Sequence, residues 1–167
     1  MTDLDLTHRT FVSYIDRTRE YYGAQGYAKP YEWAHYTEVP FAELPKPVSE
    51  LRIGLVTTAS PILDLGDEDR RPAKAPWSGF TAEPPEALYT DDLAWDKEAT
   101  HTRDPEAFLP IAACRKLIEA GALGALTDRY HGVPTDFSKR RTVERDSPEI
   151  LGRLRQDGAD AALLVPL

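Results

Sequence analysis

Gly158-Ala159-Asp160-Ala161-Ala162-Leu163-Leu164-Val165-Pro166-Leu167 is the stretch on which the fold turns. A continuous apolar run of this length after a glycine turn, itself preceded by an amphipathic segment, is the pattern of an interior parallel strand covered on both faces. The clearest second strand lies upstream, in Leu51-Arg52-Ile53-Gly54-Leu55-Val56-Thr57-Thr58-Ala59. There Ile53, Leu55 and Val56 form the buried part, and Gly54 admits the close approach of another group. Thr57 and Thr58 emerge at the carboxyl end of that strand, the edge where open α/β sheets gather their ligands.

Two helices and one more strand separate these runs. Phe108 to Gly121 reads as a helix with Ile111, Cys114, Leu117 and Ile118 inward and Gly121 as its stop. Ala122 to Thr127 reads as a short strand. Ser147-Pro148-Glu149-Ile150 opens another helix, with Ser147 as N-cap, Pro148 at the first position and Gly158 as the stop. We therefore expect parallel strands near 52–58, 123–127 and 161–166, with helices near 6–22, 108–120 and 148–156. The alternation predicts an α/β fold: an open, doubly wound, three-layer parallel sheet of flavodoxin or Rossmann type. Residues 1–47 form an N-terminal helix and a Pro- and aromatic-rich arm, with Trp33, His35, Tyr36 and Phe41, ahead of the α/β part at 48–167.

Composition narrows the function. The 167 residues carry 20 Lys and Arg against 28 Asp and Glu, and a net charge of −8 argues against nucleic acid or an anionic membrane as the main partner. No apolar run approaches the roughly 20 residues of a membrane span, and the acidic start is unlike a signal peptide, so a cytoplasmic location is expected. A single cysteine, Cys114, excludes an intrachain disulfide and a cysteine-based metal cluster, and its spacing is that of a core residue. Neither G-x-G-x-x-G nor G-x-x-x-x-G-K-[ST] occurs, so no nucleotide-binding motif supports a nucleotide reading.

Two groups of residues are candidates for chemistry. Asp128-Arg129-Tyr130-His131-Gly132 follows the middle strand and places Arg129 and His131 on the Thr57 side, unless it is a charged surface turn closed by Gly132. His101 and Asp104 lie in a long Pro-rich excursion, residues 62–104, that also holds Trp77, Phe80, Tyr89 and Trp95. They form either an acid/base pair or part of a turn in which Thr102 or Asp104 caps a helix begun by Pro105. No metal site is predicted.

Leu51 to Ala59, Phe108 to Gly124, Arg129-Tyr130-His131-Gly132 and Gly158 to Leu167, taken in order, resemble the N-terminal half of the glycine/sarcosine/betaine reductase selenoprotein B and D-proline reductase family over residues 45–167. The order of residues around Arg129 and His131 departs from the family pattern. The resemblance implies a subunit or fragment of a selenol- or thiol-dependent reductase that cleaves the C–N bond of an amino acid or N-methylated amine. It implies a selenocysteine or cysteine immediately after Leu167, and a carbonyl group of pyruvoyl type on a companion subunit. Selenocysteine is encoded by UGA, ordinarily a stop, so the chain is expected to be a truncated translation or an N-terminal fragment. Alone it is expected to be inactive and poorly soluble, with an open strand edge and an uncovered apolar face.

Within that reading Arg129 holds the substrate carboxylate, His131 moves a proton, and Thr57 and Thr58 position the selenol. Companion subunits and a small amine are the implied partners. Two rival readings stand beside it: a non-catalytic α/β module that binds a small ligand or a partner, and a hydrolase or transferase built on His101 and Asp104.

Overall fold

A computed structural model of the chain describes residues 13–29, 35–40, 42–64, 70–71, 73–89, 103–135 and 138–166. The chain divides into two compact units, Met1–Pro40 and Phe41–Leu167, a boundary slightly ahead of the expected one. In the first, helix α1 (Tyr14–Ala24) is capped by Ser13, whose Oγ accepts from Asp16 N, and none of its residues is buried. It runs two residues past the expected end. The part of that helix expected before residue 13 lies outside the described residues, as do Trp33 and Phe41.

The second unit is built on β1 (Arg52–Thr57). A two-stranded ribbon, β2 (Leu63–Asp64) and β3 (Arg70–Arg71), follows, and then β4 (Trp77–Phe80). Next come α2 (Ile111–Glu119), β5 (Ala125–Leu126) and β6 (Arg129–Gly132). The chain then forms α3 (Lys139–Arg141), a π-helical turn (Thr142–Asp146), α4 (Ser147–Gln156) and β7 (Ala161–Val165). β7 runs parallel to β1 from Ile53↔Ala161 to Thr57↔Val165, as expected of the first and last strands, but among the described residues it pairs with β1 alone and leaves Leu163 and Leu164 exposed, so it is not the interior strand covered on both faces that its apolar run suggests. On the other side of β1, β5 and then β6 pair with it in succession, both parallel, and β4 closes that side antiparallel to β6. The sheet is open, mostly parallel and five-stranded.

Side chains alternate across the sheet, so β1 serves two cores. Leu55 joins Ile111 and Cys114 of α2, with Leu109, Leu123 and Tyr130, in one cluster. Val56 joins Ile150 and Leu154 of α4 in a second. Helices thus cover opposite faces, and Cys114 is a core residue. Its thiol is pushed above its ordinary pKa by burial and by the charge of Glu106.

Gly54 makes the α4 side possible. A Cβ there would lie 2.2 Å from Leu154 Cδ2, closer than any real contact. The turn into β7 uses Gly158 at φ 68°. Asp160 then sets the register: its carboxylate accepts from Arg52 N at 2.8 Å and pairs with Lys46 Nζ at 2.8 Å.

Three local expectations are corrected. The middle strand does not run over 123–127. Thr127 Oγ1 donates to Arg129 O at 2.6 Å, a local bond that breaks the ladder between β5 and β6, and residues 129–132 are strand rather than the loop beyond it. The segment before Ser147 is helical too, capped by Ser138, whose Oγ accepts from Arg141 N, so Ser147 is not an N-cap. Pro148 has no N–H to offer the Glu144 carbonyl four residues back, and the preceding turn widens to π geometry, with Ser147 N bonding Thr142 O. Finally, α2 is capped by Glu106, whose two carboxylate oxygens accept from Ala112 N and Ala113 N at 2.9 and 3.0 Å.

The Gly54–Leu154 approach is testable. Gly54→Ala is expected to cost about 1–3 kcal/mol in denaturant unfolding through overpacking. The double variant Gly54→Ala/Leu154→Ala should lose clearly less than the sum of the two single changes. Simple additivity would show that the two groups do not compete for one space.

Candidate functional site

The polar residues read as a catalytic cluster form a closed network instead. β6 turns Arg129 and His131 toward α4, on the face opposite Tyr130, and Ser78 of β4 stands directly across from His131. From α4 come Glu149, Arg153 and Asp157, spaced by four and therefore on one side of the helix. Arg129 binds Asp157 in a forked pair, Nη2 to Oδ1 at 2.6 Å and Nε to both carboxylate oxygens at 3.0 and 3.1 Å. Arg153 donates to Ser78 Oγ at 2.8 Å and to Pro76 O at 3.1 Å, and pairs with Glu149. The guanidinium expected to hold a substrate carboxylate already holds one of the chain's own.

His131 is fully buried. Its Nδ1 lies 2.8 Å from Ser78 Oγ. Its Nε2 lies 3.0 Å from Asp157 Oδ2, out of line for a well-formed hydrogen bond, so the contact is one of charge proximity. A carboxylate at that distance requires the ring proton on Nε2, which leaves Nδ1 to accept from the Ser78 hydroxyl. Burial lowers the imidazole pKa most, helped by Arg129 and Arg153, against the opposing pull of Asp157. Serine, histidine and aspartate are neighbours here, as in acyl-transfer triads, but the ring nitrogens face the opposite partners, the imidazole is sealed from solvent and the serine oxygen takes an arginine N–H. A base so enclosed serves the fold, not an external substrate.

Asp104 is an N-cap, its Oδ1 accepting from Glu106 N at 3.0 Å at the start of a 3-10 turn over Pro105–Ala107. That bears out the turn reading for this residue. His101 lies outside the described residues, as does Trp95.

The space open to a ligand lies elsewhere on the same α4 face. A cleft of about 490 Å³ sits over the carboxyl ends of β1 and β7. Its lining includes Thr57 and Thr58 from β1 and the turn beyond it, Leu164, Val165 and Pro166 from β7, and Ile150, Leu151 and Leu154 from α4. Thr142 and Ser147 of the widened helical turn also line it. Their hydroxyls and those of the two β1-side threonines are its polar groups; no charged side chain lines it among the described residues. Arg129 and His131 are not in it. The two threonines differ: Thr57 is 1% exposed and its Oγ1 accepts from Ala59 N at 3.1 Å, whereas Thr58 is partly exposed and its carbonyl holds Thr135.

The position of this cleft follows from topology. Chain order across the three parallel positions is second, first, third, so β1 and β7 are neighbours whose connections came over opposite faces. That is the switch point at which open α/β sheets bind ligands. Among the described residues no cluster of His, Cys, Asp and Glu could hold a metal ion, and no helix is long and apolar enough to cross a membrane. Compared with known proteins, the chain matches no family model, no curated protein and no solved structure.

The two roles separate by mutation. Asp157→Ala strands Arg129 and removes the carboxylate beside His131, and should cost on the order of 2 kcal/mol, less than a fully buried pair would lose because Arg129 is about a third exposed. Asp104→Ala should cost about 0.5–1 kcal/mol, the loss of an exposed cap. Equal losses in urea unfolding would contradict the assignment.

Proposed function

We propose that the chain is a subunit or fragment of a selenol- or thiol-dependent reductase that cleaves the C–N bond of an amino acid or N-methylated amine, with its active centre over the carboxyl ends of β1 and β7. The observation that carries this reading is the cleft at the β1/β7 switch point, lined by the ends of the same two strands that carry the family resemblance. Pro166, which follows β7, lines the cleft together with Thr58, and the resemblance puts a selenocysteine or cysteine immediately after Leu167.

A selenolate or thiolate there would displace nitrogen from the α-carbon, the C–N electron pair leaving with nitrogen as a Se–C or S–C bond forms; an external dithiol would then cleave that bond, the α-carbon taking a proton, the selenolate or thiolate being restored and the dithiol ending as its disulfide. Val56, Ile150, Leu151 and Leu154 give the cleft an apolar wall. Thr58 offers a hydroxyl at the strand end, while the Thr57 hydroxyl holds the following turn through Ala59 N. With Arg129 committed to Asp157 and no charge lining the cleft among the described residues, recognition of the substrate carboxylate falls to a companion subunit, together with the carbonyl that holds the amine.

The second reading, a non-catalytic α/β module, is favoured by one observation: Arg129, His131 and Asp104, all read as catalytic, are occupied within the fold. Turnover decides between them. In the protein purified with its companion subunits, Thr58→Val is expected to lower kcat/KM about tenfold, the loss of roughly 1.4 kcal/mol of transition-state stabilisation, while Thr58→Ser, which keeps a hydroxyl, stays near the unsubstituted value. Amine binding without any dithiol-dependent turnover in the unsubstituted complex would favour the non-catalytic module. An unchanged kcat/KM in the variant would remove Thr58 from the site.

A further inference from the structure

The network on α4 contains one group able to change charge near neutrality, and it is the one in the middle. His131 faces Arg129 along its own strand, Asp157 and Arg153 from α4, Ser78 from β4, and pairs in register with Val56 of β1, which brings no charge. The Ser78 hydroxyl gives its proton to a neutral ring at Nδ1 while its oxygen takes Arg153 Nη1. A second ring proton would force that hydroxyl to turn away and accept at both contacts, and it would place a buried positive charge beside two guanidinium groups whose own carboxylates, Asp157 and Glu149, are already paired.

We propose that His131 is a proton-controlled latch that holds α4 and the β4 edge to the sheet, and through α4 sets the wall of the cleft. Ile150 and Leu154 line the cleft and pack on Val56, while Arg153 and Asp157 of the same helix hold the ring. Release of the ring therefore loosens the helix that shapes the cleft. Burial favours the neutral ring in the closed state, so the closed state binds fewer protons than the open one. The latch contributes fully above the ordinary histidine pKa of about 6.5 and weakens as pH falls through it. The inference is independent of the reaction proposed above.

The test is amide exchange on the full chain at several pH values, corrected for the intrinsic rate, together with long-range nitrogen–proton spectra of the imidazole. The expected spectrum shows the Nε2–H form at neutral pH, with a titration midpoint below 6.5. The opening constant of α4 amides such as Leu154 should rise by up to about tenfold per pH unit below 6.5, while α2 amides such as Cys114 stay level. In His131→Gln that dependence should vanish from α4. An equal rise in both helices, a dependence that persists in His131→Gln, an Nδ1–H ring or a midpoint at or above 6.5 would each overturn the latch. If His131→Gln does not fold, the spectra and the α4-to-α2 comparison of the unsubstituted chain decide alone.

Discussion

The structure depends on how closely α4 approaches β1. Gly54 leaves room for the Leu154 side chain where any Cβ would collide, and that single absence of atoms lets a helix lie flat on the central strand. Seating α4 there has two consequences a few residues apart. Ile150 and Leu154 become one wall of the cleft, and Arg153 and Asp157 come within reach of the polar side chains of β4 and β6. Parallel pairing of β7 with β1 completes the arrangement, because it brings two strand ends to the same edge.

Polarity is divided around α4. Glu149, Arg153 and its C-cap Asp157, spaced by four, put charge on one side, where with Arg129 they surround His131, and Ile150, Leu151 and Leu154 give the cleft an apolar wall. Partly buried ions are tolerable only when their hydrogen bonds are met, and here most are met within the chain. The same closure removes them from chemistry.

Much of this was legible in the residues, and the parts that were not have definite causes. The apolar run at 53–56 and the helical spacing of Ile111, Cys114, Ile150 and Leu154 carried the layers, because burial of β1 on both faces leaves a strong pattern, whereas the equally apolar run at 161–165 belongs to a largely exposed strand. Trp77–Phe80 was missed as a strand because Trp-Ser-Gly-Phe lies in a Pro-rich stretch without alternation. Arg129 to Gly132 was taken for a loop because charge suggested exposure. Its alternation of Arg129 and His131 with Tyr130 and Gly132 was the available sign of a strand with two different faces. Asp157 attracted no notice, although its spacing of four from Arg153 pointed to a shared helix face. The widened turn before Pro148 lay hidden because a proline at that position also suits a true helix start.

The central claim is the proposal that a selenol or thiol acts over the ends of β1 and β7. Its most direct measurement is alkylation at mildly acidic pH of the protein isolated from its native source with whatever subunits copurify, with peptide mapping and amine release followed in parallel. The account predicts that amine release from the substrate, driven by dithiol, stops as one label enters the peptide that contains Ala161–Val165. A label confined to buried Cys114, or amine release that continues after full labelling, would contradict it.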